Sequence, residues 1–404
     1  MFSEYGGIPR QAKLLIYLAF IPNIVIGFIY TDLSYFLPAV QNLTPFWSGV
    51  TISVMGVTLV VESIPMGVLS DRYGRRNMLV LGNVCASLSL MGFALTNSLP
   101  LILAVAVLEG TGEASFAVSM GALLAEKAGD DKRTSAFSLQ AFLSWVGGSL
   151  GGFVISSLFV FQTVGLSIGQ AHTVLYVVLG LLGLSVTPLL FRIRESETVR
   201  KRKEILPRKS GGVLKKYIAY SVTIAVGAGL FVPLMAFWFK AAFDVPDAVS
   251  GPVLGLTNLL TAGVVFMSPR LARRLGLVKA TVLTEAASTI FMVAIPSCPT
   301  FAVAATVYLV RVFLMNLSNP LTQSLIMGLV SPDERGMASG VTAALWRLPN
   351  SLSTSVGFAL IGAGFLGLPF YFATVLYVVG ISAFWFMFRN ERLPEEASRV
   401  QFSR

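Results

Sequence analysis

The sequence predicts an all-α integral membrane protein with twelve transmembrane helices in two pseudo-symmetric six-helix bundles. Three observations predict it. Of the 404 residues, 55% are hydrophobic and only 12% are charged, with a mean hydropathy of +0.76. A soluble domain carries roughly twice that share of charge, about 25%. The basic residues are confined to alternate connections between apolar stretches, and the second half of the chain repeats the first.

Apolar stretches of about 20 residues suit a ~30 Å hydrocarbon core. They recur at about 14–40, 47–69, 77–96, 100–125, 135–160, 171–191, 217–243, 250–269, 279–296, 301–330, 340–364 and 368–388. The first follows the polar start "MFSEYGGIPRQAK". It is too long for a signal-peptide core and lacks a small-residue cleavage pattern. Spans one and two are joined by "QNLTPF", three and four by "TNSLP", five and six by "FQTVGLSIGQAH". Spans seven and eight are joined by "DVPDAVSG", nine and ten by "SCPT", eleven and twelve by "GAGFLGLP". None of these connections contains Lys or Arg. The others hold Arg72, Arg75 and Arg76, then Lys127, Lys132 and Arg133, then Arg270, Arg273, Arg274 and Lys279, then Arg335. Only Lys240, Arg311 and Arg347 fall within spans, which leaves 27 of the 30 basic residues on one side. Cytoplasmic loops carry such an excess, so both termini are expected in the cytoplasm, in the plasma membrane of the cell. The net charge of +10 is thus a signal of topology and not a footprint for nucleic acid.

The longest polar stretch, Arg192 to Lys216, carries ten basic and three acidic residues. It divides the chain into an N-terminal bundle, 1–191, a basic cytoplasmic linker, 192–216, and a C-terminal bundle, 217–404. On an anionic leaflet each basic residue is worth about 1 kcal/mol. A shift of 202 positions carries Leu69, Arg72, Gly74, Val80 and Leu81 onto Leu271, Arg274, Gly276, Val282 and Leu283. It also carries Arg133 and Ala136 onto Arg335 and Ala338, without a gap. Repeats of this kind place a binding site at the midplane between the halves.

The loop after span two reads "GVLSDRYGRR". Gly67, Leu69, Asp71, Arg72, Gly74, Arg75, Arg76 and Leu79 fill every fixed position of G-x-L-x-D-R-x-G-R-R-x-x-L, and "PRLARRLG" is a degenerate second copy. Here the chain resembles the major facilitator superfamily (MFS), over its whole length. The resemblance implies the MFS fold and a conformational latch made by Gly67, Asp71, Arg72, Gly74, Arg75 and Arg76. In the family, Asp71's position meets the N-terminus of span eleven, where backbone N–H groups favour an anion. The arginines pair with acids at the end of span four, for which Glu126, Asp130 and Asp131 are candidates. Gly67 is expected to permit close helix packing.

Ionisable groups at bilayer depth cost about 2.5–3.5 kcal/mol or more and are functional candidates by default. Glu109 and Glu113 share one face of span four. Two carboxylates there do not both ionise readily, which suits proton coupling. Drug/proton antiporters of the family carry R-x-x-Q-G-x-G in this span. "AVLEGTGEA" keeps Gly110 and Gly112 but has Ala106 and Glu109 at the Arg and Gln positions. Arg311, the repeat-mate of Glu109, is a candidate for the missing cation. Asp32, with Tyr30 and Tyr35 beside it, suits either proton coupling or a cationic lipophilic substrate. Glu62 in span two is a further proton-coupling candidate. Glu285 and Lys240 are expected to snorkel from span ends, and His172 is expected at the membrane interface. Arg311, Asn316, Trp346 and Arg347 are candidate substrate contacts in the second half. In span five, "SWVGGSLGGF" matches the family's antiporter motif G-P-x-x-G-G at Gly147, Gly151 and Gly152, with Gly148 in the proline position.

Cys85 and Cys298 lie in different settings and make neither a disulfide framework nor a metal site. There is no phosphate-binding GxxxxGK[ST], no metal-ligand spacing and no nucleophile–histidine pair. The chain is therefore not expected to be an enzyme or to carry a cofactor. The resemblance implies a secondary active transporter working by alternating access, usually as a monomer, with protons and a small molecule as its partners. The sequence favours proton-coupled efflux, by antiport, of small lipophilic or cationic compounds. The alternative is an importer, a symporter, of a specific small metabolite or organic anion bound by Arg311 and Arg347. A lipid flippase on the same scaffold fits less well, because several buried charges line the spans.

Overall fold

The structure, a computed structural model, describes residues 7–195, 210–331 and 334–390. Most of the basic linker therefore lies outside the described residues, as does 391–404. All regular structure among the described residues is helical. The helices are α1 (Arg10–Val40), α2 (Pro45–Tyr73), α3 (Arg75–Leu95), α4 (Leu99–Gly129), α5 (Asp131–Thr163) and α6 (Ile168–Leu190). They continue as α7 (Gly211–Phe243), α8 (Asp247–Leu275), α9 (Leu277–Ser297), α10 (Phe301–Leu329), α11 (Arg335–Gly362) and α12 (Leu368–Phe388). By length and apolarity ten of these can cross a membrane, and α8, broken between Val264 and Met267, makes an eleventh. The eleventh span expected from the sequence corresponds to α11, 28 residues long and carrying Arg347.

Local chemistry sets the boundaries. Pro45 opens α2 and proline also sits in the first turns of α4 and α12, where its missing N–H costs nothing. Ser167 and Gln170 form a reciprocal capping box at the start of α6. Gly74 ends α2 with φ +97° and Gly276 ends α8 with φ +77°. These two are repeat-mates. A side chain is strained at such a φ, so the same backbone turn explains the same residue in both halves.

Contacts divide the chain into two compact units. Unit 1 comprises residues 1–201 with 233–262, and unit 2 comprises 202–232 with 263–404. Helix α7 passes from unit 2 to unit 1 at its 3-10 turn, Val232–Leu234.

In unit 1, α4 packs against α2 and α3, and α6 against α3. The Met235–Phe243 section of α7 lies against α1. One apolar cluster joins Phe28, Phe36, Phe93, Leu158, Tyr176 and Ala248; a second joins Leu15, Leu79, Leu123 and Leu190. The span-five glycines work as packing points. A Cβ at Gly151 would lie 2.4 Å from both Ile24 O and Phe28 N of α1, and one at Gly152 would lie 2.6 Å from Gly255 Cα of α8. Gly67 does not act in this way. A Cβ there would sit 3.6 Å from Val118 Cγ1, an ordinary contact, whereas one at Gly110 would meet Met55 O at 2.5 Å. The tight approach between α2 and α4 thus belongs to Gly110.

In unit 2, the first section of α7 packs on α11 and α12, and α9 packs on α10 and α12. Gly229 admits the α11 backbone, since a Cβ there would meet Asn350 O at 2.0 Å. Tyr220, Phe384 and Phe388 form an aromatic run, with centroid spacings of 4.7 and 5.0 Å.

Gly151→Val is expected to lower stability by about 2 kcal/mol or more through overpacking. Gly121→Ala, at a helical position with open space around it, is expected to be neutral or stabilising by up to about 1 kcal/mol. Thermal unfolding of the purified variants in detergent checks both.

Candidate functional site

Three of the acids buried in the helices of unit 1 are each held by a hydroxyl. Asp32 on α1 is 0% exposed and its Oδ2 accepts from Tyr176 Oη of α6 at 2.8 Å. Ser89 of α3 donates to Glu109 of α4, and Tyr30 of α1 donates to Glu113. Hydroxyls suit carboxyl groups that change protonation. They donate to a carboxylate and accept from a carboxylic acid without moving. Glu113 also lines a small cavity with Pro22, Val25, Asn83, Ser87 and Phe116. Tyr30 is exposed, whereas Tyr35 is buried and stacks on His172. Glu62 on α2 is half-buried, and its Oε2 is buried without a hydrogen-bond partner.

His172, in the second turn of α6, is 0% exposed, and Asp247 meets it from the first position of α8. His172 Nε2 lies 2.5 Å from Asp247 Oδ2, and Nδ1 lies 2.8 Å from Ile168 O. Asp32, His172 and Asp247 are all buried, and their ligand atoms lie within 4.8 Å of one another. No linear spacing announces this group, since its members stand 140 and 75 residues apart in sequence. A signal was available in the single histidine of the chain and in an acid placed after proline at a span start in "DVPDAVSG".

In unit 2, Arg311 of α10 is buried. Its Nη2 donates to Tyr377 Oη of α12 at 2.7 Å, and its guanidinium lies 4.8 Å from the Phe231 ring centroid. Its Nε is buried without a hydrogen-bond partner. Glu285 of α9 does not snorkel. It is fully buried and accepts a hydrogen bond from Tyr220. Its position inside the helix places it against the aromatic run instead of at the headgroups. Lys240 does sit near a helix end, half-exposed and paired with Asp244 at 2.5 Å. Asn316 bonds back to Val312 O at 2.9 Å and receives Asn319 at 2.9 Å. Trp346 and Arg347 are exposed on α11 and differ in setting from Arg311.

The charged loop is a network inside unit 1. Arg75 is buried and reaches Asp71 at 3.1 Å and Glu126 at 3.1 Å, so it ties the end of α2 to the end of α4. Glu195, after α6, accepts from the Arg76 backbone N–H at 3.1 Å, satisfying one of the free donors at the start of α3. A Cβ on Gly74 would meet the Glu195 carboxylate at 2.7 Å. Arg72 and Asp71 are exposed. The Asp130 side chain lies outside what is described. Glu195, an acid just past span six in an otherwise basic stretch, carries no sequence signal for this role.

The sequence model of the Major Facilitator Superfamily matches residues 14–354. The chain belongs to this superfamily. It is a multi-pass membrane transporter, not an enzyme. An uncharacterised membrane protein of Saccharomyces cerevisiae is 20% identical over 387 residues, covering 82% of this chain and 86% of the yeast protein. The multi-drug resistance efflux pump PmrA of Streptococcus pneumoniae is 25% identical over 271 residues, covering 61% of this chain and 65% of the pump. Among solved structures, the nucleoside transporter NupG aligns with a TM-score of 0.76 at 14% identity, over 95% of this chain and 100% of that one. A D-xylose–proton symporter aligns at 0.76 and 15%, over 92% of this chain and 97% of the symporter. At such identities the transporters share a fold, and the cargo differs among them.

Arg75→Leu is expected to destabilise the transporter by about 2 kcal/mol, mainly through the Glu126 contact. Asp71→Asn, at a solvent-screened carboxylate, is expected to cost under about 0.5 kcal/mol. The difference between the two thermal midpoints checks the assignment.

Proposed function

We propose that this transporter exports small lipophilic or cationic compounds in exchange for protons, with Glu113 and Glu109 as the coupling pair. The observation that carries the reading is the pairing of buried carboxyl groups with hydroxyls, Tyr30 with Glu113 and Ser89 with Glu109. Protonation of Glu113 converts an acceptor of the Tyr30 hydrogen bond into a donor and removes a negative charge from the cavity wall. A cationic substrate attracted by that charge is thereby released, so proton and substrate compete for one site. The similarity to a multi-drug efflux pump supports the direction. Alternating access moves the site between the two sides of the membrane. For each net charge moved, the membrane potential supplies about 2.3 kcal/mol per 100 mV. The protein works as a monomer in the plasma membrane, with both termini in the cytoplasm and the Gly67–Arg76 loop as its latch.

A second reading has its own observation. Arg311 is a buried cation with an unpartnered Nε, which suits an organic anion carried inward with protons, Arg347 providing a second contact. Proteoliposomes with an internal pH dye separate the two. A cationic or neutral drug that dissipates an imposed proton gradient only when the protein is present supports efflux. An anion doing so, with loss in Arg311→Gln, supports import.

Glu113→Gln is expected to abolish drug-driven proton movement while leaving drug binding within a few-fold of wild type. Binding lost together with coupling would make Glu113 a substrate ligand instead. Equilibrium binding measured beside the flux assay reads the difference.

A further inference from the structure

We propose that Asp32, His172 and Asp247 form a binding site for one divalent first-row transition-metal ion, such as Zn²⁺, Co²⁺ or Mn²⁺. Each of the three has one polar atom already engaged by an outer partner. The Ile168 carbonyl can only accept, so His172 Nδ1 carries the proton it donates there at 2.8 Å. Asp32 Oδ2 is held by the Tyr176 hydroxyl at 2.8 Å, and Asp247 Oδ1 by the Ala248 N–H at 2.9 Å. Three atoms face one another: Asp32 Oδ1, and His172 Nε2 and Asp247 Oδ2, which share a proton at 2.5 Å that a bound ion would displace. Asp32 Oδ1 has no hydrogen-bond partner although Asp32 is fully buried.

Metal-ligating histidines carry this outer bond from the second ring nitrogen, which fixes the tautomer and leaves the other lone pair free. The Tyr176 bond does the same for Asp32. Once that proton is displaced, neutral imidazole with two carboxylates carries a charge of −2, which a divalent ion cancels. Imidazole among the ligands favours transition metals over Ca²⁺ or Mg²⁺. Ion–ligand distances of about 2.0–2.2 Å set ligand atoms roughly 3–4 Å apart. The present group, with a closest pair at 2.5 Å and all ligand atoms within 4.8 Å, reaches that by shifts of about 1 Å. Tyr35 and Phe36 pack on the imidazole, and Phe28 on Tyr176, so the site is walled by aromatic rings. Water left in the first shell completes the coordination. All three ligands belong to unit 1 and none of them is Glu113, Glu109 or a partner of either, so the site holds whether or not drug export does.

The test uses the full-length, tag-free protein in detergent, stripped with a chelator and titrated with Co²⁺ and Zn²⁺. Wild type is expected to bind one equivalent, with visible Co²⁺ absorption bands bleached by Zn²⁺. His172→Gln and Asp247→Asn are expected to lose this binding by 100-fold or more. Tyr176→Phe, which keeps the ring packing, is expected to weaken it by about tenfold. Size-exclusion profiles establish that each variant is folded. Wild type that binds neither ion overturns the site, and the triad is then a proton-sharing cluster only. Binding that is unchanged in Tyr176→Phe and in whichever of the other two variants folds also overturns it, as does Ca²⁺ bound as tightly as Zn²⁺.

Discussion

A hydrocarbon layer offers no hydrogen bonds, and a polar group carried into it must bring a partner. The interior arrangement of this transporter follows from that demand. Asp32, Glu109, Glu113 and Glu285 are buried, and each is met by a tyrosine or serine hydroxyl from a neighbouring helix. Arg311 is met by Tyr377 and the Phe231 face. The partner residues are amphipathic or small, so they pack among apolar side chains and still present one polar atom. Glycines bring the backbones close enough for such pairs to form. Gly151 and Gly152 let α5 lie against both α1 and α8, the helices that carry Asp32 and Asp247.

The charged loop obeys a different rule because it lies at the edge of the membrane. Its arginines need no rescue from hydrocarbon, and their value is geometric. Arg75 joins the ends of two helices through two acids, and Gly74 takes a backbone angle that leaves room for Glu195 to cap a third. One short motif thereby fixes four chain segments of unit 1 in register.

Much of the fold is legible in the sequence, because span length, loop charge and the 202-residue repeat are one-dimensional signals. The repeat even carries a backbone conformation, shared by Gly74 and Gly276. The site is legible only in part. Glu109 and Glu113 announce themselves as acids four apart on one helix, and Arg75 sits in a dense motif. Span position alone does not show that His172 and Glu285 face inward, because depth along a span tells nothing of which way a side chain faces. Asp247 looks like a loop residue in the sequence, since only the folded chain shows that the start of α8 turns inward. Such residues are invisible to spacing because their partners arrive from distant helices.

The passage of α7 and α8 between units has a consequence for biogenesis. Asp32 and His172 belong to the first six helices, but Asp247 and the Met235–Phe243 section that packs on α1 are made after the linker. When the linker leaves the ribosome, unit 1 is therefore incomplete, and its buried histidine still lacks its carboxylate. The last contacts of unit 1 are made by residues synthesised after the linker, which makes the two halves of this duplicated chain interdependent in assembly although each resembles the other in design.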